Sequence, residues 1–316
     1  MRLAVLIDPL EHLKPYKDTT IAMIKRAQDL GWSCVYFTQQ DLFCREGRAY
    51  ARVYEIAIGD EHSRDWAQTN DLGEKPLADF DIILMRKDPP FNTEYIYTTY
   101  QLELAEREGV LVANKPQSLR DANEKFFTLN FPQCCPTTLV SRDIKKLRSF
   151  WEMHQQVIFK PAEGMGGSSV FHVDAHGRNL SVILEVLTEH QTRTIIAQRY
   201  IPEITTAGDK RILVINGEPV PYALARIPAQ GELRGNLAAG ARGEVVPINE
   251  RDRWICQQIG PTLKAKGLYF VGIDVIGDYL TEINVTSPTC LREITAATGL
   301  DIAGDFLQGL KRICLS

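Results

Sequence analysis

Hydrophobic positions near the start of the chain alternate between strand-like runs and helix-like spacing. Residues 2–8 form a short apolar run typical of a buried strand, and residues 33–38 form another. Between them, apolar residues recur at helical spacing over residues 19–30, and Gly31 is a suitable residue to end the helix. The order strand, helix, strand predicts a parallel βαβ unit.

A second unit of the same kind follows a polar stretch at residues 44–78. Residues 81–85 predict a strand, residues 93–108 predict a long helix, and residues 110–113 predict a further strand. The pattern therefore predicts an N-terminal α/β domain built on a small open sheet.

A capping-box sequence marks the end of this domain. Residues 118–121 (SLRD) have the pattern that begins a helix, and the predicted helix contains Lys125. We therefore place the end of the first domain near residue 120.

The second half of the chain has a different pattern. From residue 157 onward, short apolar runs predict antiparallel hairpins, and Asn216-Gly217 between two such runs is the strongest of the hairpin signals. A helix is predicted at about residues 250–266, and a last hairpin at residues 269–285. The predicted fold class is α/β followed by α+β.

Composition and charge exclude several classes of protein. A chain of 316 residues is longer than one core usually holds, so two or three lobes are expected. The balance of 36 Lys and Arg against 40 Asp and Glu does not indicate a nucleic-acid or membrane surface. The chain lacks an apolar run of about 18 residues, and its first apolar run is too short for a secretory signal. Seven cysteines without a C-x-x-C pair favour free thiols and a cytoplasmic location.

A glycine-rich segment is a candidate phosphate-binding loop. Lys160 follows a predicted strand at residues 157–159, and Gly164, Gly166 and Gly167 come next, before a strand-like run begins at Val170. The spacing differs from G-x-G-x-x-G and from the Walker A motif, and both of those motifs require a helix next. Glycines let backbone N–H groups approach a polyphosphate, and Lys160 adds a cation. A plain glycine-rich turn is the alternative.

The last predicted hairpin carries a candidate metal site. Glu282 and Asn284 are two residues apart on a strand and share a face. A two-residue turn would direct Asp274 away from Glu282, whereas a three-residue turn over residues 277–279 pairs them. We expect the three-residue turn, because three oxygen ligands then converge and magnesium prefers oxygen ligands. The alternative is that these acids are merely solvated, as expected for the turn residue Asp278.

Two arginines are predicted on one face of the hairpin at Asn216-Gly217. With a two-residue turn, residue 211 lies opposite residue 222, so Arg211 and Arg226 project from the same side. Guanidinium groups suit the oxygens of an anionic substrate, and a solvated ribbon face is the alternative.

A long segment with four glycines, residues 227–243, follows this hairpin. Its small side chains cannot pack a core, and its length exceeds that of an ordinary connection. We expect a mobile lid that carries Arg234 as a charged finger, with disorder without function as the alternative.

Two weaker signals concern the position of a ligand. Residues 194–202 include an apolar strand whose open backbone can pair with an adenine. Residues 85–90 (MRKDPP), which include Arg86, lie at the carboxyl end of a predicted parallel strand, where open α/β sheets place ligands. The six histidines show no ligand spacing and receive no role.

Lys125, Lys160 with its glycine loop, Asp274 and Glu282-Ile-Asn284, in this order, resemble the ATP-grasp pattern. The longer strings LMRKDPPFNTEYIY, NKPQSLRDANEK, GDKRILVINGEPVPYALARIP, RGNLAAG and LTEINVTSPTCLREI resemble the bacterial glutathione synthetase family. The similarity spans the whole chain. It departs from the family at residues 161–163 before the loop and at residues 131–135.

The resemblance implies an ATP-grasp fold behind an N-terminal pre-ATP-grasp domain. The domains it implies are residues 1–120, a lid subdomain with the glycine loop at 121–200, and a C-terminal subdomain with the metal site at 201–316. The implied reaction joins γ-glutamylcysteine to glycine at the expense of ATP, with two Mg²⁺ ions, or Mn²⁺, as cofactors. A homotetramer is the assembly it implies. A different ATP-grasp ligase, such as a D-alanine–D-alanine ligase or a glutamate-adding enzyme, and a non-catalytic nucleotide-binding module are the rival interpretations.

The resemblance also implies a role for each matching residue. Those roles are phosphate binding by Lys125, Lys160 and loop 164–167, adenine binding by the backbone of Tyr200 and Ile201, ribose binding by Asp209, metal binding by Asp274, Glu282 and Asn284, and contact with the substrates and the transferring phosphoryl group by Arg211, Arg226, Arg234, Asn236, Arg86 and Ser287.

Overall fold

The computed structural model describes residues 1–164, 168–229, 231, 232, 235 and 240–316. The strands are β1 (Arg2–Leu6), β2 (Ser33–Phe37), β3 (Leu42–Arg45), β4 (Arg48–Ile58), β5 (Ala67–Pro76), β6 (Ile82–Met85), β7 (Leu111–Ala113), β8 (Thr138–Ser141), β9 (Val157–Pro161), β10 (Phe171–Val173), β11 (Ile195–Arg199), β12 (Asp209–Ile215), β13 (Glu218–Ile227), β14 (Arg242–Pro247), β15 (Phe270–Ile276) and β16 (Tyr279–Asn284). The helices are α1 (Thr19–Asp29), α2 (Thr93–Arg107), α3 (Pro116–Asp121), α4 (Ile144–His154), α5 (Leu180–Leu187), α6 (Glu250–Ala265), α7 (Leu291–Thr298) and α8 (Ile302–Cys314).

The first sheet confirms both predicted βαβ units. Its strands lie in the order β3-β4-β2-β1-β6-β7, with β5 paired to β4. Strand β1 runs parallel to β2 and β6, and β6 runs parallel to β7. Helix α1 begins where the Asp18 carboxylate accepts a hydrogen bond from the Ile21 N–H, and it buries Ile21, Ile24 and Ala27.

The polar stretch at residues 44–78 contains strands that the sequence pattern did not predict. Strand β4 pairs antiparallel with β2, β3 and β5. Its inward positions carry the small side chains of Ala49, Ala51 and Val53, and β5 is almost entirely exposed. Because few large apolar residues mark the buried face, the alternation typical of strands is weak here.

The predicted helix that begins at Ser118 and contains Lys125 is wrong. Helix α3 begins at Pro116 and ends at Asp121, before Lys125 is reached. Proline is favoured in the first turn of a helix, so the helix begins earlier than the capping-box pattern suggested. The Ser118 hydroxyl donates a hydrogen bond to the Lys266 carbonyl instead of capping the helix.

The second sheet is antiparallel, with strand order β10-β9-β11-β8. Helices α4 and α5 pack against it around a separate small core that includes Leu147, Phe159, Leu184 and Ala197. This core contains only residues of the second sheet and its helices. By contrast, apolar residues of the first and third sheets share two larger cores.

The third sheet is also antiparallel, with strand order β14-β13-β12-β15-β16. The predicted hairpin between β12 and β13 is confirmed, and both turn residues, Asn216-Gly217, have positive φ angles. Arg211 pairs with Leu224, two residues further along than predicted, because the register shifts between Ile212 and Val214. A shift of two residues preserves the face of a strand, so Arg211 and Arg226 still share one side.

The hairpin of β15 and β16 has the predicted pairing of Asp274 with Glu282, but its turn differs from the predicted one. Its turn has two residues, since Ile276 pairs with Tyr279, so the predicted three-residue turn is wrong. Asp274 nevertheless pairs with Glu282, because a bulge places Thr281 as an extra residue on β16. The bulge turns Asp274 towards the face that carries Glu282.

Each sheet falls within one of the three predicted domains, at residues 2–113, 138–199 and 209–284. The exact domain limits stay a prediction. In the part of the chain that the structure describes, none of the helices combines the length and the apolar character needed to cross a bilayer.

Candidate active site

A cavity of about 400 Å³ lies between the second and third sheets. Many predicted site residues line it. They are Lys160, Gly164, Tyr200, Ile201, Asp209, Arg211, Arg226, Asp274, Glu282, Asn284 and Ser287. Residues from the glycine-loop hairpin (β9 and β10) and from the acidic hairpin (β15 and β16) therefore face the same space.

Two lysines lie at one end of the cavity: Lys160 lines it, whereas Lys125 contacts lining residues without lining the cavity itself. Lys125 precedes a short 3₁₀ helix, and its Nζ lies 2.8 Å from the carbonyl oxygen of Gly164 and 3.7 Å from Glu282 Oε1. Lys160 lies on β9 and is buried, which lowers the pKa of its ammonium group, although the charge of Glu282 opposes this. Its ammonium group has no hydrogen-bond partner among the described residues. A phosphate would supply the missing partner.

The other end of the cavity is apolar and aromatic. The rings of His172 and Tyr200 stack with 4.1 Å between their centroids. Strand β11 is paired on both sides, with β8 and β9, so the expected open backbone does not lie within the strand. The Tyr200 N–H donates to the Gln156 carbonyl, and the Ile201 N–H is the first one past the strand without a partner among the described residues. A base with a flat face and a hydrogen-bonding edge fits this end.

Asp274 is the centre of a buried ion-pair network. Its Oδ1 lies 2.5 Å from Arg211 Nε and 3.0 Å from Arg226 Nη2, and its Oδ2 lies 3.0 Å from Arg211 Nη2. Asn284 Nδ2 adds a hydrogen bond to Oδ2 at 3.2 Å. Burial would raise the pKa of Asp274, but the charges of Arg211 and Arg226 outweigh it and hold that pKa below its usual range.

Asp209 is the second carboxylate that contacts Arg226. Its Oδ2 lies 2.5 Å from Arg226 Nη2, and its Oδ1 has no hydrogen-bond partner among the described residues. Burial raises the pKa of Asp209 against the opposing charge of Arg226, and the negative charge of Asp274 adds to the rise. Its free oxygen can accept a hydrogen bond from a ligand hydroxyl.

The donor set of the acidic hairpin fits a divalent cation. Carboxylate and amide oxygens are the ligands that Mg²⁺ prefers, and phosphate oxygens usually complete the shell. Glu282 is partly buried, and within the described part of the chain its carboxylate forms an ion pair with Lys125 alone, so it has lone pairs to offer. The Asn284 amide uses its Nδ2 towards Gly272 and Asp274, which leaves its oxygen free. Asp274 already accepts four hydrogen bonds and would have to release one of them to bind an ion.

Arg86 is placed close to the cavity but does not line it. Its guanidinium group is buried and donates to Thr20 Oγ1 at 3.1 Å and to the Pro288 carbonyl at 2.9 Å. Arg86 thus holds the loop that presents Ser287 to the cavity. Arg234, Asn236, Gly166 and Gly167 lie outside the described residues.

Titratable residues without an assigned role also line the cavity, among them Glu124, His172 and Asp88, the last of which lies in the tract at residues 85–90. Glu124 stands next to Lys125 in the string NKPQSLRDANEK, so the resemblance offered a signal for it. His172 lies on β10, whose pairing with β9 was predicted from the strand-like runs on both sides of the glycine segment, but no ligand spacing marked the histidine itself.

The fold and this cavity define the class of protein. Across 99% of its length the chain superposes on all of the crystal structure of the D-cycloserine synthetase DcsG, with a TM-score of 0.69 and 12% sequence identity. It also superposes on the ATP-grasp ligase PsnB bound to a minimal precursor, Mg and ADP, with a TM-score of 0.64, 17% identity and coverage of 100% of this chain and 98% of that one. Identities this low show the fold alone, which is the ATP-grasp fold.

Sequence comparison is more specific. Residues 1–120 match the family model for the prokaryotic glutathione synthetase N-terminal domain, and residues 124–299 match the model for its ATP-grasp domain. The chain is 56% identical to a glutathione synthetase of Pseudomonas putida, with coverage of 99% of this chain and 98% of the relative. It is 52% identical to one of Escherichia coli, with coverage of 98% of each. The chain belongs to the prokaryotic glutathione synthetase family.

Proposed function

We propose that this protein is an ATP-dependent carboxylate–amine ligase that makes glutathione from γ-glutamylcysteine and glycine, giving ADP and phosphate. The observation that carries the proposal is the convergence of Lys160, the Arg211–Arg226 pair and Glu282 on one cavity. Membership of the glutathione synthetase family over nearly the full chain supports the identity of the substrates.

The chemistry explains why ATP is needed. A carboxylate is a poor electrophile, and transfer of the γ-phosphate to the cysteinyl carboxylate of γ-glutamylcysteine gives an acylphosphate with a good leaving group. The amine of glycine then attacks the acyl carbon, and phosphate leaves. Negative charge develops on the transferring phosphoryl group and then on the tetrahedral oxygen, so fixed cations are the expected catalysts.

The cavity residues can supply those cations. Lys125 and Lys160 are proposed to hold the ATP phosphates, with the loop over residues 164–167 closing over them. The adenine is proposed to lie against Tyr200 and to bond the backbone at Ile201, and Asp209 is proposed to bind the ribose.

The arginines and the loop at Ser287 are proposed to act on the other substrates. Arg211 and Arg226 are proposed to contact the acyl and phosphoryl groups, and the same role is proposed for Arg234 and Asn236. Ser287, with Arg86 behind it, positions γ-glutamylcysteine. Exclusion of water by the 227–243 segment would protect the acylphosphate from hydrolysis.

ATP-grasp ligases of this family use a divalent cation, and here Glu282, Asn284 and Asp274 would hold it. When bound, the cation neutralises phosphate charge during transfer. Two Mg²⁺ ions, with Mn²⁺ as a substitute, are the proposed occupants.

An omission assay tests the proposal. The protein is incubated with Mg²⁺, ATP, γ-glutamylcysteine and glycine, and phosphate release is measured with each component left out in turn. Release that requires all of them supports glutathione synthesis. Release with D-alanine or glutamate in place of these substrates would identify a different ligase, and no release would indicate a nucleotide-binding module.

A further inference from the structure

Glu124 lines the cavity, and one of its carboxylate oxygens has no hydrogen-bond partner in the part of the chain that the structure describes. Its Oε1 accepts three hydrogen bonds, from the Val285 N–H at 2.9 Å, the Thr286 N–H at 3.1 Å and Thr286 Oγ1 at 2.9 Å. Its Oε2 accepts none from the described residues. Because Glu124 lines the cavity, Oε2 is available to a bound molecule.

Glu124 also lacks a cationic partner. Its sequence neighbour Lys125 directs its ammonium group to the Gly164 carbonyl and to Glu282. Among the described residues, no Lys, Arg or His forms an ion pair with Glu124. Burial raises the pKa of the Glu124 carboxyl, and the charge of Glu282 adds to the rise. A carboxylate removed from water without a cation is costly, so a cation supplied by a ligand would offset that cost.

We propose that Glu124 Oε2 binds the ammonium group of an amino-acid substrate. This inference rests on the proposed function, in which γ-glutamylcysteine and glycine both carry an amino group. The charges of the cavity favour the assignment. Lys160, Arg211 and Arg226 attract phosphate and carboxylate groups, whereas Glu124 and Asp88 face the same cavity from the side of the loop that follows β16.

A purely structural role would need only Oε1. Its three hydrogen bonds fix the backbone directly after Asn284, so in this role Glu124 would only support the geometry of the acidic hairpin. Glu124→Gln separates the two roles. The amide oxygen can keep the three hydrogen bonds, and the amide nitrogen replaces Oε2 with a group that donates and cannot accept.

The experiment measures KM for each substrate in wild type and in Glu124→Gln. The KM for one of the two amino substrates is expected to rise about 10- to 100-fold, the range for loss of a hydrogen bond between charged groups, while KM for ATP stays within about twofold. Glu124→Asp keeps the charge but withdraws it by one methylene. Its KM for that amino substrate is expected to lie between the values of wild type and Glu124→Gln.

A dipeptide analogue distinguishes the source of the ammonium group. N-Glutaryl-cysteine has the shape of γ-glutamylcysteine without its amino group. If Glu124 binds the γ-glutamyl amino group, Glu124→Gln abolishes the wild-type preference for γ-glutamylcysteine over the analogue and leaves KM for glycine unchanged. If it binds glycine, KM for glycine rises and the preference persists.

Thr286→Val is the matched control, because it removes one hydrogen bond to Oε1 and leaves Oε2 intact. Its KM values are expected to stay within about twofold of wild type. Unchanged KM values for both amino substrates in Glu124→Gln, or an equal rise in Thr286→Val, would overturn the inference. Failure of the omission assay in the wild type would instead reject the proposed function.

Discussion

Arg211 and Asp274 form a bidentate ion pair within the third sheet, with Nε 2.5 Å from Oδ1 and Nη2 3.0 Å from Oδ2. The two residues are direct partners on the adjacent strands β12 and β15. Both side chains are buried, and Asp274 is the only ion-pair partner of Arg211 among the described residues. Removing the charge of Asp274 would therefore leave Arg211 without an ion-pair partner, whereas removing Arg211 would leave Asp274 paired with Arg226.

We expect Asp274→Asn to lower the free energy of unfolding by about 3–5 kcal/mol, because it leaves a buried guanidinium group unpaired. Chemical denaturation measures the change. Asp301→Asn is the control, since Asp301 pairs with Arg26 at 2.7 Å but both side chains are substantially exposed, and about 0–1 kcal/mol is expected. Equal losses of unfolding free energy in the two variants would show that burial does not increase the contribution of the Asp274 ion pairs to stability.

Arg226→Ala is expected to lower kcat by about 100- to 1000-fold, the loss typical of a removed electrostatic donor. The same is expected of Arg234→Ala. Steady-state phosphate release measures the effect. Arg242→Ala is the control, because Arg242 lies on the neighbouring strand β14 and its side chain is 75% exposed. Normal turnover in Arg226→Ala would remove the proposed role of that residue.

Glu282→Ala is expected to abolish magnesium-dependent consumption of ATP, because it removes a carboxylate that lines the cavity and has oxygens available for a metal ion. Asp278→Ala changes an exposed acid at the tip of the same hairpin and should leave activity unchanged. Titration of activity with Mg²⁺ compares the two variants. Similar magnesium dependence in both would argue against a metal site at Glu282.

Gly208→Ala is expected to destabilise the fold more than Gly47→Ala does. Both glycines have left-handed backbones, with φ of +75° and +77°, so both variants carry a similar conformational cost. A Cβ at Gly208 would also lie 2.6 Å from the Arg226 carbonyl oxygen, whereas one at Gly47 would meet nothing within 4 Å. The difference in unfolding free energy is expected to be about 1–3 kcal/mol, and equal values would refute the steric contribution.

Stability is expected to fall as the pH rises above about 9. Burial raises the pKa of the Cys34 and Cys256 thiols to about 12, whereas an unfolded thiol ionises near about 8.5. Between these values the unfolded chain binds fewer protons than the folded one, so the free energy of unfolding decreases with pH. Denaturation at pH 8 and about pH 10 should show a shallower slope in Cys256→Ala than in wild type. Alanine at the exposed Cys44 should leave the slope closer to that of wild type.

The fold was predictable where large apolar side chains mark one face of an element. Helices α1, α2 and α6 and the parallel strands fall within a few residues of their expected positions. Strand β4 was missed because its buried positions carry mainly Ala and Val. The start of α3 was missed because a proline can begin a helix as effectively as a capping serine.

Site residues could be predicted where their spacing along a strand determines which face of the sheet they share. The pairing of Asp274 with Glu282 was expected, but the bulge at Thr281 that produces it leaves no trace in the sequence pattern. Residue spacing along the chain does not predict contacts between distant segments. The burial of Arg86 against Pro288 and the three hydrogen bonds to Glu124 depend on how whole elements pack.

Lys125 and Lys160 lie in parts of the fold that have different hydrophobic cores. Lys160 lies on the second sheet, which has its own core, whereas Lys125 lies on the connection outside that sheet and touches Gly164. Rotation of the second sheet away from the rest would pull the two positive charges apart and weaken their joint hold on a polyphosphate. The affinity for nucleotide would therefore depend on how closely the second sheet approaches the rest of the molecule.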